Sequence, residues 1–220
     1  MRTIDALADL LLGASCPGCG RARWGTCSSC RREVSSPQLQ LSPEGLHVVG
    51  LCAYEGVGGA MVRALKDGGA WSVAKVCGPG LGRALDLVAP AGVALVPAPS
   101  LPASVRRRGF DHSAALARAA ARPGDRVVAA LHRSRRVADQ AGLDHEDRLV
   151  NQHASMLADP PGSGPATAVV VDDICTTAAT VLEARRALRR AGWKVAGAVV
   201  VAITEKRIPV RGSTRGPGAK

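Results

Sequence analysis

The residues with the clearest chemical potential lie in the stretch 168–180. Four apolar residues lead into two adjacent carboxylates, Asp172 and Asp173, and three threonines follow them, Thr176, Thr177 and Thr180. Carboxylates accept hydrogen bonds from ribose hydroxyls and can hold Mg²⁺, whereas hydroxyls and the free N–H groups of a helix start suit a phosphate. The stretch therefore predicts a pocket for a phosphorylated ribose. The alternative is that Asp173 or Thr176 only caps the helix, but a cap needs one such residue and leaves the others unexplained.

A second constellation lies near the N-terminus, where Cys16 and Cys19 form one Cys-x-x-Cys pair and Cys27 and Cys30 form another. Each pair makes a tight turn that presents two thiolates, and two such turns complete a tetrahedral four-sulfur site. Such a site has no open coordination position, so the spacing predicts a structural zinc ion. A redox pair or two disulfides are the alternatives, and the doubled motif disfavours both.

Alternating strands and helices must position these residues. The predicted strands cover residues 48–53, 93–96, 127–131, 168–171 and 195–203. The predicted helices cover a short N-terminal amphipathic segment and residues 60–67, 71–88 with a break at 78–80, 111–121 and 177–191. This alternation predicts an α/β fold with a parallel sheet flanked by helices on both faces.

The composition divides the chain into three parts. Residues 1–45 would hold the N-terminal helix, the zinc-binding module and a polar linker at 31–46, and residues 46–205 would form the α/β domain. Residues 134–152 are charged and lack an apolar face, which predicts a flap, and residues 206–220 are predicted to be a disordered basic tail.

The overall composition fits a phosphate ligand and limits other functions. The net charge of +11 attracts polyanions or phosphorylated ligands, although Arg-rich sequence bias with solvated arginines explains the same charge. Aromatic residues make up only 2% of the chain, which weakens any argument from base stacking. No segment approaches the roughly 20 apolar residues of a membrane span, so we expect a cytoplasmic protein with reduced thiols.

The stretch 168–180 resembles the phosphoribosyl pyrophosphate (PRPP) motif of type I phosphoribosyltransferases. Further motifs occur along the chain in the order that this resemblance leads us to expect. They are Val96-Pro-Ala-Pro99, Arg106-Arg-Arg-Gly-Phe-Asp-His112, Gln140-Ala-Gly-Leu143, Arg148 and Asn151. With the cysteine module in front, the whole order is similar to the ComF family, whose members join a zinc module to a phosphoribosyltransferase-like domain. That family is associated with natural competence and the uptake of single-stranded DNA.

The resemblance implies a role for each matching residue. Asp172 and Asp173 would be the catalytic carboxylates that hold the ribose hydroxyls, and the threonines with the intervening backbone would hold the 5′-phosphate. The implied PRPP-binding residues are Asp172, Asp173, Ile174, Cys175, Thr176, Thr177, Ala178, Ala179 and Thr180. The implied pyrophosphate-binding residues, on a loop from Pro97, are Pro99, Arg106, Arg107 and Arg108, unless the three arginines are only a solvated charge run. Gln140 and Arg148 would sit on the flap, and Mg²⁺ would accompany PRPP.

Two departures from the family pattern bear on catalysis. The family's phosphate loop reads Thr-Thr-Gly, and here Ala178 takes the glycine position. If that position needs a positive φ, alanine is strained there by about 1 kcal/mol. The family's Asn-Gln reads Asp111-His112 here, and we expect His112 to be a surface residue at a helix start.

Three functional hypotheses remain open. The first is a Mg²⁺-dependent phosphoribosyltransferase of nucleotide metabolism, with no acceptor identified by the sequence. The second is a competence factor that binds PRPP, a nucleotide or a DNA end, and contacts single-stranded DNA through Arg106–Arg108, Arg133–Arg136 and the basic tail. The third is a non-catalytic adaptor whose zinc module docks a partner, such as a DNA-uptake protein.

Overall fold

The computed structural model describes residues 15–67, 71–134 and 155–204. The strands are β1 (Leu39–Leu41), β2 (Val48–Ala53), β3 (Ala94–Pro97), β4 (Arg126–Val127), β5 (Leu131–Arg133), β6 (Met156–Ala158), β7 (Thr167–Cys175) and β8 (Lys194–Ile203). The helices are α1 (Ser28–Glu33), α2 (Val57–Asp67), α3 (Trp71–Val88), α4 (Pro102–Arg108), α5 (His112–Ala120) and α6 (Ala179–Arg190), and a 3-10 turn covers Pro43–Gly45.

The main sheet has the strand order β1-β2-β8-β7-β3-β4. Strand β1 is antiparallel to β2, and the other neighbours are parallel. At the centre, Val170 of β7 lies opposite Val96 of β3 on one side and Ala198 of β8 on the other. The predicted α/β fold with a mostly parallel sheet is therefore confirmed.

Each face of the sheet has its own apolar core, because alternate residues of a strand point to opposite faces. Val169 and Val171 of β7 pack on the face covered by α2, α3 and α5. Val170 packs on the other face, against Leu188 of α6 and Trp193. Strands buried on both faces read as continuous Ala and Val runs, which explains why these segments lack a polar alternation.

Helix α3 corrects one prediction. It runs without a break from Trp71 to Val88 and contains Pro79, although Gly78-Pro79-Gly80 was predicted to interrupt it. A Cβ added to Gly78 would collide with the carbonyl oxygen of Ala119 in α5, and one added to Gly80 would collide with that of Val34. These glycines permit close helix packing and do not end the helix.

Three other segments also differ from the prediction. Helix α2 begins at Val57, three residues before its predicted start at residue 60, and so includes Gly58 and Gly59. The predicted strand 127–131 is two short strands, with β4 in the main sheet and β5 paired to β6 in a separate antiparallel ribbon. The predicted linker 31–46 contains the last residues of α1, and β1 joins the main sheet.

Some predictions fall outside the described residues: the N-terminal helix, the basic tail and, apart from residue 134, the flap with Gln140 and Arg148. The division of the chain at residues 45 and 205 stays a prediction. Among the described residues, no helix is both long enough and apolar enough to cross a membrane.

Candidate functional site

A pocket of about 300 Å³ opens at the carboxyl ends of β3 and β7, the edge of a parallel sheet where ligands bind in α/β folds. Strand β7 contributes Asp172 and Asp173, and the start of α5 contributes His112 and Ser113. The full lining consists of Lys66, Ala98, Pro99, Ser100, Leu101, Ser104, Arg108, His112, Ser113, Arg133, Asp172, Asp173, Ile174, Thr176 and Thr180.

Asp172 is buried at the floor of this pocket. Its Oδ1 accepts a hydrogen bond from Ser113 Oγ at 3.3 Å and another from the backbone N–H of Asp173 at 2.8 Å. Burial, followed by the neighbouring charge of Asp173, raises the pKa of Asp172 to about 7. The Asp172 carboxyl therefore holds its proton more readily than an exposed aspartate does.

Asp173 is buried as well, and a cation faces it. Lys66 Nζ lies 2.8 Å from Asp173 Oδ2, and His112 Nε2 lies 3.4 Å from the same oxygen. Lys66 sits near the end of α2, far from Asp173 in the chain, so no local motif identified it. Its amphipathic helix is the only sequence signal that could have placed it near the sheet.

His112 is buried, so the expectation of a surface histidine is wrong. Its Nδ1 lies 3.0 Å from Arg108 Nη1 and 3.2 Å from Ser100 Oγ. A guanidinium can only donate, so Nδ1 accepts from Arg108, and the ring proton sits on Nε2, facing Asp173. Burial lowers the pKa of His112, which keeps the ring neutral.

The start of α5 is correctly predicted. Asp111 caps this helix, because its Oδ1 accepts a hydrogen bond from the backbone N–H of Ala114 at 3.0 Å. An aspartate at the position of the family's asparagine therefore still begins the helix and still directs the next two side chains toward the pocket.

The loop after β7 leads directly into α6. Ala178 is the residue before the helix and adopts φ 62° and ψ 0°, the left-handed region that was anticipated for this position. No side chain caps α6, so neither Asp173 nor Thr176 acts as its cap. Thr176 and Thr180 line the large pocket, whereas Thr177 is exposed and does not line it. A second small cavity lies within the loop, bounded by Ile174, Cys175, Thr176, Ala178, Ala179, Thr180 and Val181.

The three consecutive arginines differ in their position relative to the pocket. They belong to the short helix α4 and not to a loop, and only Arg108 lines the pocket, together with Pro99. Arg106 and Arg107 are exposed. Arg133 of β5 also lines the pocket and was not assigned to it from the sequence.

The four cysteines of the N-terminal module come together. The sulfur atoms of Cys16, Cys19, Cys27 and Cys30 all lie within 4.8 Å of one another, and those of Cys19 and Cys27 are 3.8 Å apart. A tetrahedron with zinc–sulfur bonds of about 2.3 Å has sulfur–sulfur edges of about 3.8 Å. The backbone N–H of Cys27 donates to Cys16 Sγ at 3.3 Å, as the amides around a metal-bound thiolate do. The cluster therefore fits a zinc ion.

A second group of possible metal ligands lies in the pocket itself, where donor atoms of His112, Asp172 and Asp173 are within 4.8 Å of one another. Because His112 Nδ1 accepts from Arg108, Nε2 carries the ring proton and is not free to ligate a metal. The two carboxylates are then the groups that could hold a hard cation such as Mg²⁺.

The comparison with known families agrees with this geometry. A family model described as phosphoribosyl transferase domain matches residues 103–214, just over half of the chain. The match includes α4, α5, β7, the following loop and α6, whereas Lys66 and the four cysteines lie before it. No curated protein matches the chain.

Proposed function

Since the chain belongs to the phosphoribosyl transferase domain family, we propose that its pocket binds PRPP together with Mg²⁺. The main support for the proposal is one cavity of about 300 Å³ that is lined by Asp172, Asp173 and Arg108 and, from the loop after β7, by Thr176 and Thr180. A carboxylate pair, a cationic side chain and a helix start are the three kinds of group that a sugar with phosphates at both ends requires.

Each group has a place in that ligand. Asp172 and Asp173 accept hydrogen bonds from the ribose hydroxyls, and the backbone and threonines at 176–180 hold the 5′-phosphate. Arg108, which also lines the pocket, contacts the pyrophosphate. Mg²⁺, held by the carboxylates and the ligand, would supply neutralisation of the pyrophosphate charge.

The reaction class that follows is phosphoribosyl transfer. A nucleophile attacks the anomeric carbon of the ribose, the bond to the pyrophosphate oxygen breaks, and pyrophosphate leaves with its electron pair. The sugar becomes oxocarbenium-like on the way, so the work of the protein is to position the ribose and stabilise the leaving group. The described pocket does not identify the acceptor.

We further propose that the chain is a ComF-type protein that acts in the cytoplasm and serves DNA uptake. The zinc-compatible cysteine cluster ahead of the phosphoribosyl pocket supports this proposal, because that combination is the one on which the resemblance rests.

One observation favours a second candidate, a non-catalytic protein that handles single-stranded DNA. Trp24, between the two cysteine pairs, is 68% exposed, and Arg21, three residues earlier in the chain, is exposed as well. An exposed indole can stack on a base, and an exposed arginine of the same module can contact the nucleic-acid backbone. On this alternative, Trp24→Ala weakens binding of a single-stranded oligonucleotide and leaves PRPP binding unchanged.

The test of the main proposal is a calorimetric titration of PRPP with and without Mg²⁺. The variants are Asp172→Asn/Asp173→Asn and, as the control, Glu55→Gln, which changes an exposed carboxylate outside the pocket. We expect Mg²⁺-dependent binding by the wild type and by the control, and loss of binding in the double variant. Absence of binding by folded wild-type protein would overturn the proposal. Binding would justify a screen of nitrogen acceptors for pyrophosphate release.

A further inference from the structure

Lys66 contributes a cation to the pocket, although it precedes the residues that match the family model. It comes from α2, before residue 103, and its ammonium lies 2.8 Å from Asp173 Oδ2. The Lys66 side chain is 32% exposed, whereas that of Asp173 is 3% exposed. The ammonium therefore stands at the boundary between the buried carboxylate and the open pocket.

The contact with Asp173 leaves much of the ammonium unused. An ammonium has three N–H donors, and its ion pair with Asp173 Oδ2 lies in one direction, where His112 Nε2 approaches the same oxygen at 3.4 Å. Among the described residues, no further acceptor is placed against Lys66 Nζ. Within that part of the chain, Lys66 therefore keeps donors that a ligand in the pocket it lines can use.

The structure of the ligand decides which of its phosphate groups would accept hydrogen bonds from Lys66. The proposed binding mode takes Asp173 as the acceptor of the 2-hydroxyl of the ribose, and the pyrophosphate is bonded to the adjacent carbon. A cation that already touches Asp173 then lies beside the pyrophosphate and not beside the 5′-phosphate, which is held at 176–180. Arg108 and Arg133 line the same pocket as Lys66, so the pocket presents three cationic side chains.

We propose that Lys66 binds the pyrophosphate group of the phosphoribosyl ligand, and that the segment before the matched domain thereby completes the site. This inference rests on the proposed function. It assigns Lys66 two simultaneous contacts, one with Asp173 and one with the pyrophosphate. A lysine that served only as a counter-ion of Asp173 would make the first contact alone.

The two cases separate when two ligands are compared. We would measure the affinities of PRPP and of ribose 5-phosphate, which lacks the pyrophosphate, for wild type, Lys66→Met and the control Lys75→Met. Lys75 is an exposed lysine of α3. Loss of a charge-assisted contact should weaken PRPP binding by about tenfold or more in Lys66→Met. Binding of ribose 5-phosphate should change much less, and Lys75→Met should bind both ligands as the wild type does.

Other outcomes would overturn the inference. Equal weakening of both ligands would mean that Lys66 acts only through Asp173, and unchanged binding of PRPP would mean that it contacts no part of the ligand. If the wild type binds neither ligand, the proposed function fails and the role of Lys66 falls with it.

A measurement on the wild-type protein avoids dependence on the folding of a variant. Acylation of lysines by acetic anhydride can be followed residue by residue with mass spectrometry, in the presence of inorganic pyrophosphate or of none. Pyrophosphate should slow modification of Lys66 relative to Lys75, and equal rates with and without pyrophosphate would contradict the contact.

Discussion

Asp172 and Asp173 are adjacent in the chain but differ in what surrounds them. Asp173 faces two nitrogen atoms, of Lys66 and of His112, whereas Asp172 faces a serine hydroxyl and a backbone N–H. The cationic partner therefore belongs to Asp173, and burial leaves Asp172 as the carboxyl whose pKa is raised. The two carboxyls therefore meet a ligand from different surroundings, since Asp173 faces a cation whereas Asp172 faces neutral hydrogen-bond donors.

Ligand affinity should therefore depend on pH through Asp172. Its pKa is about 7 in the free protein, so the carboxyl is mostly protonated below that pH and mostly ionised above it. A ribose hydroxyl donates to the ionised form, so binding should weaken as the pH falls below about 7, by at most about tenfold per pH unit. Affinities of PRPP for wild type and Asp172→Asn between about pH 6 and about pH 8 check this. Titration of the ligand phosphates is common to both proteins, so identical pH profiles would contradict the role of Asp172.

Ala178 gives a second prediction at the residue scale. An alanine at φ 62° carries strain on the order of 1–2 kcal/mol that glycine does not. Ala178→Gly relieves this strain, but the greater freedom of glycine in the unfolded chain and the loss of a buried methyl group offset part of the stabilisation. We therefore expect Ala178→Gly to stabilise the protein by at most about 1 kcal/mol. Urea unfolding measures the change. Ala179→Gly, one residue later in ordinary helical conformation, should instead destabilise, and the same sign for both variants would refute the strain argument.

Helix α5 is the element that carries His112 and Ser113 to the pocket, and its position depends on α3. Gly78 of α3 meets the carbonyl of Ala119 so closely that no side chain fits between the two helices. The close approach has to be kept for the start of α5 to reach Asp172 and Asp173.

Gly78→Ala should therefore destabilise the protein by about 1–3 kcal/mol, because the added methyl group forces the helices apart. Gly82→Ala is the matched control on the same helix, since its Cβ would lie 3.4 Å from the nearest atom, the carbonyl oxygen of Ala120. Thermal unfolding of both variants should show a loss for Gly78→Ala and little change or a gain for Gly82→Ala. Equal effects would mean that helix propensity, and not packing, decides the outcome.

The elements also show what could be predicted from the sequence. The strand β7 and the helix α6 were identified because their signals are local: an apolar run, two acids, hydroxyls and then a helical pattern. The break expected at Gly78-Pro79-Gly80 was wrong because glycine and proline are local signals of helix ends, whereas Gly78 and Gly80 meet neighbours distant in the chain.

Lys66 and His112 were missed as site residues for the same reason. Each reaches Asp173 through the packing of α2 or α5 on the sheet, and nothing in the neighbouring sequence records that contact. The assignment of Arg106 and Arg107 to the pyrophosphate stays a prediction, because the run of three arginines does not say which side of α4 faces the pocket.

At the scale of the whole molecule, the cysteine cluster is a separate small core. Among the described residues outside the module, Val57 is the apolar side chain that packs against it. A segment of this size cannot bury enough apolar surface to fold without a metal.

Removal of the metal should therefore unfold residues 15–30 and leave the main sheet folded. Hydrogen exchange with and without a zinc chelator should show loss of protection in the module and at the start of α2, where Val57 lies, and unchanged protection in β7 and β8. Loss of protection throughout the main sheet would show instead that the module is part of a single cooperative unit.

A fragment cut at the start of the family match would lose strands that pair with the centre of the main sheet. Strand β7 pairs with β3, and β8 pairs with β2, yet both partners precede residue 103. A fragment that begins there would keep β7 and β8 but expose the outer edge of each, with rows of unpaired N–H and carbonyl groups beside an apolar surface. Such edges recruit strands from other chains, so the fragment should aggregate on expression, whereas a fragment that begins before β1 keeps the sheet intact.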